Sequence, residues 1–232
     1  MRFAVVRFGG SNCDLDVVHV LRDVCGVDTD LIWYKEGIGP GYDAVVLPGG
    51  FSYGDYLRAG AIAARTPIME EILRHAKKGG LVLGVCNGAQ IGAESGLVQG
   101  TFTLNAYPKF LCRPAHLRVE NNGTPFTSLY REGEVIRIPI AHKEGRYMAD
   151  PETLATLNRE RRVVFRFSDP EGRVTDEVNH NGSAENITGV LGNGGNFLAM
   201  MPHPERASEE ALGSVDGKRI FLSMIRHIEE KG

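Results

Sequence analysis

The chain has 232 residues, of which 42% are hydrophobic and 24% are charged, so it has the composition of a folded globular protein and not of a disordered one. A chain of this length buries roughly 70–75% of its unfolded surface and needs neither disulfides nor metals to form a core. Its 26 basic and 29 acidic residues give a net charge of −3, which argues against binding to nucleic acid or to an anionic membrane surface.

The cysteines and the apolar runs narrow the class of protein further. Cys13, Cys25, Cys86 and Cys112 are scattered and form no C-x-x-C pair, which argues against a disulfide framework or a structural zinc site. The apolar runs, such as Phe3–Val6, are much shorter than the roughly 18 residues of a membrane span, and no signal peptide is recognisable. We therefore expect a cytoplasmic protein without a bound metal.

The first half of the chain alternates predicted strands with predicted helices. The spacing of Ser11 and Asp14 is typical of a capping box, and the apolar period that follows predicts a helix ending at Gly26. A second helix begins at Pro67 and ends at Gly79. The predicted strands are Arg2–Val6, Asp28–Tyr34, Asp43–Leu47 and Gly80–Val85. This alternation indicates right-handed βαβ units and parallel strands.

The second half is richer in strand-like runs. They are Leu117–Glu120, Glu134–Ile140, Val163–Phe167, Ile187–Leu191 and Asn196–Met201, and a helix over Gly217–Glu230 closes the chain. We find no linker, repeat or low-complexity segment, which favours a single domain over residues 1–232. The predicted fold is α/β and flavodoxin-like, with a mostly parallel sheet and helices on both faces. In such sheets ligands bind beyond the carboxyl ends of the strands.

One of these strand ends carries a candidate nucleophile. The segment Gly84–Gly88 follows a predicted strand and precedes a predicted helix over Ala89–Ser95. This is the pattern of a nucleophile elbow with Cys86 in the nucleophile position. The helix N-terminus directs free N–H groups and positive potential at the sulfur, which favours the reactive thiolate. The alternative is an unreactive cysteine buried in a glycine-rich turn.

A histidine and a glutamate at a later strand end supply the groups that such a cysteine needs. Pro204 biases His203 toward an extended conformation, in which the side chains of His203 and Glu205 project to the same side. Glu205 can then hold one ring nitrogen while the other faces a thiol, as acyl transfer requires. The alternative is a proline-stiffened surface turn.

Two backbone amides are candidates for stabilising an oxyanion. The Asn87 N–H lies at the start of the predicted helix, directly after Cys86. The Gly50 N–H, in the turn Pro48-Gly49-Gly50 after another strand, has no Cβ to block a close approach. The alternative for the second segment is a simple turn.

These motifs together resemble the class I glutamine amidotransferases. The motifs are Gly84-Val85-Cys86-Asn87-Gly88-Ala89-Gln90, Pro48-Gly49-Gly50 and His203-Pro204-Glu205. Longer stretches narrow the resemblance to the glutaminase subunits of purine synthesis, and they are Pro48–Ala63, Pro139–His142 and Met201–Arg206. The resemblance extends over nearly the whole chain, and we expect the synthetase to be a separate subunit.

The resemblance implies both a mechanism and partners. Cys86 would attack the side-chain amide of glutamine, His203 would transfer the proton, and Glu205 would orient His203. The ammonia would pass to an ATP-dependent synthetase subunit that converts formylglycinamide ribonucleotide to formylglycinamidine ribonucleotide. A small third subunit commonly bridges the two. No cofactor is expected in this chain, because ATP and Mg²⁺ would bind to the synthetase.

The resemblance also suggests substrate contacts. Gln90, one helical turn after Cys86, matches a position that contacts glutamine, and Asn105 matches such a segment more loosely. His142 fits a family motif in an interfacial or structural role. The segment 51–58 is either a solvated loop or a lid or docking surface for the synthetase.

Two other hypotheses remain at this stage. The chain could be a different amidotransferase or an elbow-cysteine hydrolase of the related protease-like superfamily, although those hydrolases take their histidine and glutamate from other positions. It could also be a non-catalytic module that binds flavin or a nucleotide, because a fold alone does not determine function.

Overall fold

The computed structural model describes residues 1–231, which form a large sheet, a small two-stranded sheet and five α-helices. The strands are β1 (Arg2–Arg7), β2 (Asp28–Trp33), β3 (Ala44–Leu47), β4 (Leu81–Val85), β5 (Thr101–Thr103), β6 (Leu111–Val119), β7 (Val135–His142), β8 (Arg146–Met148), β9 (Val163–Ser168), β10 (Ile187–Leu191) and β11 (Phe197–Met200). The helices are α1 (Asp14–His19), α2 (Pro67–Lys77), α3 (Asn87–Glu94), α4 (Pro151–Arg159) and α5 (Lys218–Lys231).

The large sheet has nine strands in the order β2-β1-β3-β4-β11-β10-β9-β6-β7. The first five are parallel, in the flavodoxin-like order, and the remaining four continue the sheet with antiparallel pairing. The predicted α/β fold is therefore confirmed, and its parallel part is the half that carries the predicted elbow. Strands from both ends of the chain join this one sheet.

The sequence of the central strands explains their position. Every residue of β3 and β4 is buried, so both faces of the sheet are covered there, as is usual for parallel strands that read as continuous apolar runs. The helix α2 starts with Pro67 at its first turn and buries Ile68, Met69 and Ile72. Gly79 follows it with a φ of +91°, which glycine adopts readily.

All nine strands of the large sheet correspond to predicted strands, but β6 begins at Leu111 rather than at Leu117. Its first half contains Pro114, which lies opposite Pro139 of β7. A proline in an apolar run argues against a strand, and for this reason the pattern does not reveal the full length of β6. No helix within residues 1–231 has the length and hydropathy that would let it cross a membrane.

Two local expectations fail. The capping box of Ser11 and Asp14 is wrong, because the Ser11 hydroxyl accepts the Phe8 N–H (3.0 Å) and Asp14 forms an ion pair with Arg7 (2.8 Å). The helix α4 is missed among the strand-like runs, although the sequence carries its start signal. Asp150 caps it by accepting the Thr153 N–H at 2.8 Å.

Candidate active site

Cys86 occupies the sharp turn between β4 and α3. Its backbone has φ +49° and ψ −106°, a conformation that a non-glycine residue adopts at a cost on the order of 1–3 kcal/mol. The Cys86 N–H donates to the Met200 carbonyl (2.8 Å), and the Cys86 Sγ lies 3.6 Å from the Ala141 carbonyl oxygen. The residue is buried. The structure thus presents the thiol on a strained elbow, as the sequence predicts.

The elbow depends on glycine at position 88. A Cβ added to Gly88 would overlap the carbonyl group of Leu47 on the neighbouring strand β3. We expect Gly88→Ala to lower the free energy of unfolding by about 3 kcal/mol, because backbone and not a flexible side chain must move. Urea unfolding would measure this change. Gly123→Ala is the matched control, since its Cβ would meet no atom closer than 3.4 Å, and an equal effect of the two substitutions would contradict the prediction.

His203 and Glu205 lie directly after β11, the parallel neighbour of β4. Met200 of β11 pairs with Val85 of β4, so the two strand ends bring His203 and Cys86 to the same edge of the sheet. The Nδ1 of His203 lies 2.6 Å from Oε1 of Glu205, and both side chains are buried. His203 is extended, but Glu205 lies in a tight helical turn over Pro204–Ala207. The turn, and not strand alternation as predicted, makes the contact.

The charges around His203 favour its protonated form. Burial lowers its pKa, but the carboxylate of Glu205 and the sulfur of Cys86 outweigh burial and hold the pKa well above its ordinary value. Among residues 1–231 no group forms a hydrogen bond with the Nε2 of His203. That nitrogen therefore remains open for proton exchange with the thiol and the substrate.

A second buried thiol adjoins this pair. The Sγ of Cys13 accepts a hydrogen bond from the Arg206 guanidinium (3.1 Å) and lies 3.2 Å from Oδ1 of Asn12. Cys13, His203 and Glu205 place potential metal-ligand atoms within 4.8 Å of one another. The Arg206 guanidinium already donates a hydrogen bond to the sulfur of Cys13, and Glu205 is already hydrogen-bonded to Nδ1 of the His203 ring. The sulfur of Cys13 and the Nδ1 of His203 thus have hydrogen-bond partners, whereas Oε2 of Glu205 and Nε2 of His203 have none among residues 1–231.

The two amides predicted to stabilise an oxyanion flank the site. Gly50 lines the same cavity as Cys86. In the bridge between Gly50 and Ser11, the Asn12 N–H donates to the Gly49 carbonyl and the Phe51 N–H donates to the Gly10 carbonyl. The Gly50 N–H therefore has no backbone acceptor among residues 1–231. Asn87 is the first residue of α3, so no helical carbonyl precedes it to accept its N–H. Both donors are thus free to point at a developing negative charge.

Gln90 lies in the cavity wall, but its side-chain amide is engaged within the protein. Its Nε2 donates to the Glu144 carbonyl (2.6 Å), and its Oε1 accepts from Nδ2 of Asn87 (2.9 Å). The Asn87 Oδ1 in turn accepts the Ser52 N–H at 3.1 Å. Gln90 therefore connects the elbow to the opposite wall, and a contact with substrate would add to these bonds or replace one of them.

Asn105 does not line the cavity that contains Cys86. Its Nδ2 donates to the carbonyls of Lys109 and His142 (3.0 Å each), while its Oδ1 accepts the Gly145 N–H and faces Nδ1 of His142 (3.1 Å each). The structure thus gives Asn105 a role in fixing the segment from His142 to Gly145. His142 lines the cavity, and burial together with the charge of His203 lowers its pKa to about 3, so its ring is neutral.

The fold and the site together define a class of protein. A strained cysteine elbow lies at the carboxyl edge of a flavodoxin-like sheet, beside a buried His–Glu pair on the adjacent strand end and two free amides, and this is the arrangement that cysteine-dependent acyl transfer requires.

Comparison with known proteins agrees with this class. Residues 1–219 match the family described as the CobB/CobQ-like glutamine amidotransferase domain. The chain is 58% identical to phosphoribosylformylglycinamidine synthase subunit PurQ of Methanosarcina acetivorans, over 99% of both chains, and 51% identical to that of Methanocaldococcus jannaschii, over 97% of both. In the solved structure of PurLQS from Thermotoga maritima, one chain superposes with a TM-score of 0.86 at 43% identity, over 98% of both chains.

The chain therefore belongs to the glutamine amidotransferase family and, within it, to the PurQ subunits of phosphoribosylformylglycinamidine synthase.

Proposed function

We propose that this chain is the glutaminase subunit of phosphoribosylformylglycinamidine synthase. The observation that carries the proposal is the juxtaposition of the Cys86 elbow with the buried His203–Glu205 pair, in a chain that is 58% identical to a PurQ subunit. The reaction releases ammonia from glutamine for use by a synthetase.

The first half of the reaction transfers the glutamyl group to the sulfur. Cys86 gives its proton to Nε2 of His203, and the thiolate attacks the carboxamide carbon of glutamine. The N–H groups of Gly50 and Asn87 stabilise the oxyanion. His203 then returns the proton to the leaving nitrogen, the C–N bond breaks, and ammonia departs. A glutamyl thioester remains on Cys86.

The second half removes the glutamyl group. His203 accepts a proton from a water molecule, whose oxygen attacks the thioester carbon. The C–S bond breaks, glutamate leaves, and the sulfur of Cys86 recovers the proton from His203. Glu205 holds Nδ1 throughout, so the ring keeps one orientation for both transfers.

The ammonia must reach the synthetase before it meets bulk water, which would protonate it. An exposed apolar surface beside the cavity is suited to a partner that shields it. Phe51 and Phe110 line the cavity and are exposed, and the segments that carry them also expose Tyr56, Leu57, Leu104 and Tyr107, with an exposed fraction of 89% for Leu57. The rings of Phe51 and Phe110 lie 6.2 Å apart at the cavity mouth. Large exposed apolar patches of this kind mark interfaces.

In this assignment the chain acts in the cytoplasm, beside the ATP-dependent synthetase subunit and a small bridging subunit. ATP and Mg²⁺ bind to the synthetase subunit. The chemistry in this chain uses side chains and backbone amides alone. Neither nucleic acid nor a membrane takes part.

Addition of the synthetase subunit should increase the rate of ammonia release from glutamine by about tenfold or more, because docking couples the two sites. The measurement compares ammonia release by the chain alone and in the complex, with free glutamine as substrate. An elbow-cysteine hydrolase would instead cleave peptides or γ-glutamyl peptides and show no glutaminase activity in either case. Such a result would refute the proposed function.

A further inference from the structure

Two carboxylates that the mechanism leaves unused line the same cavity as Cys86. Asp55 and Glu144 come from segments far apart in the sequence, and both are half-buried in the wall of a cavity of about 320 Å³. The Oδ1 of Asp55 is buried and has no hydrogen-bond partner among residues 1–231. The Oε2 of Glu144 accepts a long hydrogen bond of 3.4 Å from the Ala59 N–H.

Neither carboxylate of this pair forms an ion pair within residues 1–231, although basic residues lie nearby in the sequence. The Arg58 guanidinium forms its ion pair with Glu94 (2.7 Å). Lys143 lies on the cavity rim with an exposed side chain. Burial, and then the negative charge of Glu144, raise the pKa of Asp55 to about 6. Because buried carboxylates are normally paired, the wall of the cavity favours the arrival of a cation.

The segment that carries Asp55 has a constrained backbone and is bonded to the elbow. Tyr53 and Asp55 both adopt left-handed conformations, with φ of 53° and 55°, which are unfavourable for most residues although aspartate tolerates them. The segment is fixed by the Ser52 N–H, which donates to Oδ1 of Asn87 at 3.1 Å. The residue after the nucleophile therefore positions the segment that carries Asp55.

The cavity contains a further polar group without a partner. His142 is 3% exposed, lines the cavity, and has no hydrogen bond to its Nε2 among the described residues 1–231. A cavity with an unpaired carboxylate oxygen and a buried, unsatisfied ring nitrogen is built for a polar ligand with a positive charge.

We propose that Asp55, supported by Glu144, binds the α-ammonium group of the substrate and thereby selects free α-amino acids over other γ-amides. This inference rests on the proposed function, which places a carboxamide at Cys86. Glutamine carries its ammonium group at the end opposite the carboxamide, and the two carboxylates provide the negative charge in the same cavity. Asp55 is thus a specificity-determining residue, distinct from the Cys86–His203–Glu205 triad.

The test is Asp55→Asn in the complex with the synthetase, because asparagine has the same shape and also tolerates the left-handed backbone. The measurement is kcat/KM for glutamine and for its analogue that lacks only the α-amino group. In the wild type, glutamine should be the better substrate by about 10- to 100-fold, which is the range for a hydrogen bond to a charged group. In the variant this preference should shrink to within about threefold, with most of the loss in KM for glutamine.

Two controls separate binding from folding. Asp176→Asn, on an exposed turn outside the cavity, should retain the wild-type preference. Alkylation of Cys86 by iodoacetamide, which carries no ammonium group, should proceed at the wild-type rate in Asp55→Asn. Glu144→Gln should weaken the preference for glutamine less than Asp55→Asn does.

Retention of the full preference by Asp55→Asn would overturn the proposal, and so would an equal loss of both substrates together with loss of alkylation. The second result would mean that Asp55 only maintains the elbow. A wild-type complex that releases no ammonia from glutamine would instead refute the proposed function, and with it the premise of a bound carboxamide.

Discussion

Cys86→Ala should reduce glutamine-dependent product formation by a factor on the order of 10⁴ or more, while product formation from added ammonium salts persists in the complex with the synthetase. The reason is that the sulfur forms the covalent bond to the substrate, and alanine at this position of the elbow has no nucleophilic atom. The loss should lie in kcat, because the cavity walls that bind glutamine are unchanged.

The measurement compares two assays of the same complex, one supplied with glutamine and one with ammonium salts at high pH. Cys112→Ala is the matched control, since Cys112 is an exposed cysteine on β6, and it should have full activity in both assays. Glutamine use by Cys86→Ala at a tenth of the wild-type rate or more would show that another group is the nucleophile.

Glu205→Gln should reduce kcat by about 10²- to 10⁴-fold with little change in KM. The amide preserves the shape of the side chain but removes the negative charge that lies 2.6 Å from the His203 ring. The orientation of the ring and the stability of its protonated form then both decline. Because His203 is buried, no solvent can replace the lost carboxylate.

The pH dependence of kcat should also change in Glu205→Gln, and the pKa of His203 determines the direction of that change. In the wild type the Glu205 charge raises the pKa of His203 against the effect of burial, so the ring keeps its proton to a higher pH than an ordinary histidine. Without that charge the pKa of His203 falls. The alkaline limb of kcat, where the ring can no longer protonate the leaving nitrogen, should therefore move to lower pH in Glu205→Gln.

The pH profile of kcat in the complex tests the direction, and Glu152→Gln, an exposed residue of α4, is the matched control that should leave the profile in place. An unchanged alkaline limb in an otherwise impaired Glu205→Gln would mean that Glu205 acts by packing alone.

The sequence predicts the parts of this protein that depend on local patterns. The nine strands of the large sheet and the elbow at Cys86 follow from apolar runs and short motifs. The pairing of His203 with Glu205 is also predicted, but a helical turn makes the contact and not the expected strand alternation. The failures also have local causes. The Ser11 hydroxyl can accept an N–H from the start of a helix or the N–H of Phe8, and in the structure it accepts the second. Pro114 interrupts the strand-like pattern, so the first half of β6 is not predicted.

The contacts between distant segments could not be predicted in the same way. Asp55 and Glu144 meet in one cavity because the segments after β3 and β7 both reach the carboxyl edge of the sheet, and no short pattern indicates this. Cys13 likewise reaches His203 only through the fold, although the arginine of the His-Pro-Glu-Arg motif, Arg206, is the group that holds its sulfur.

The pairing of β4 with β11 determines which part of this protein resists local opening and which part can respond to a partner. Both strands lie in the interior of the nine-stranded sheet, where opening requires disruption of the entire hydrophobic core. The residues to which we assign the covalent chemistry are therefore attached to a region of the fold that resists local opening. The segment 51–58 joins this region to the surface, because Ser52 is hydrogen-bonded to Asn87 of the elbow while Tyr56 and Leu57 are exposed, so contact with a partner can be transmitted to the cavity through one short segment.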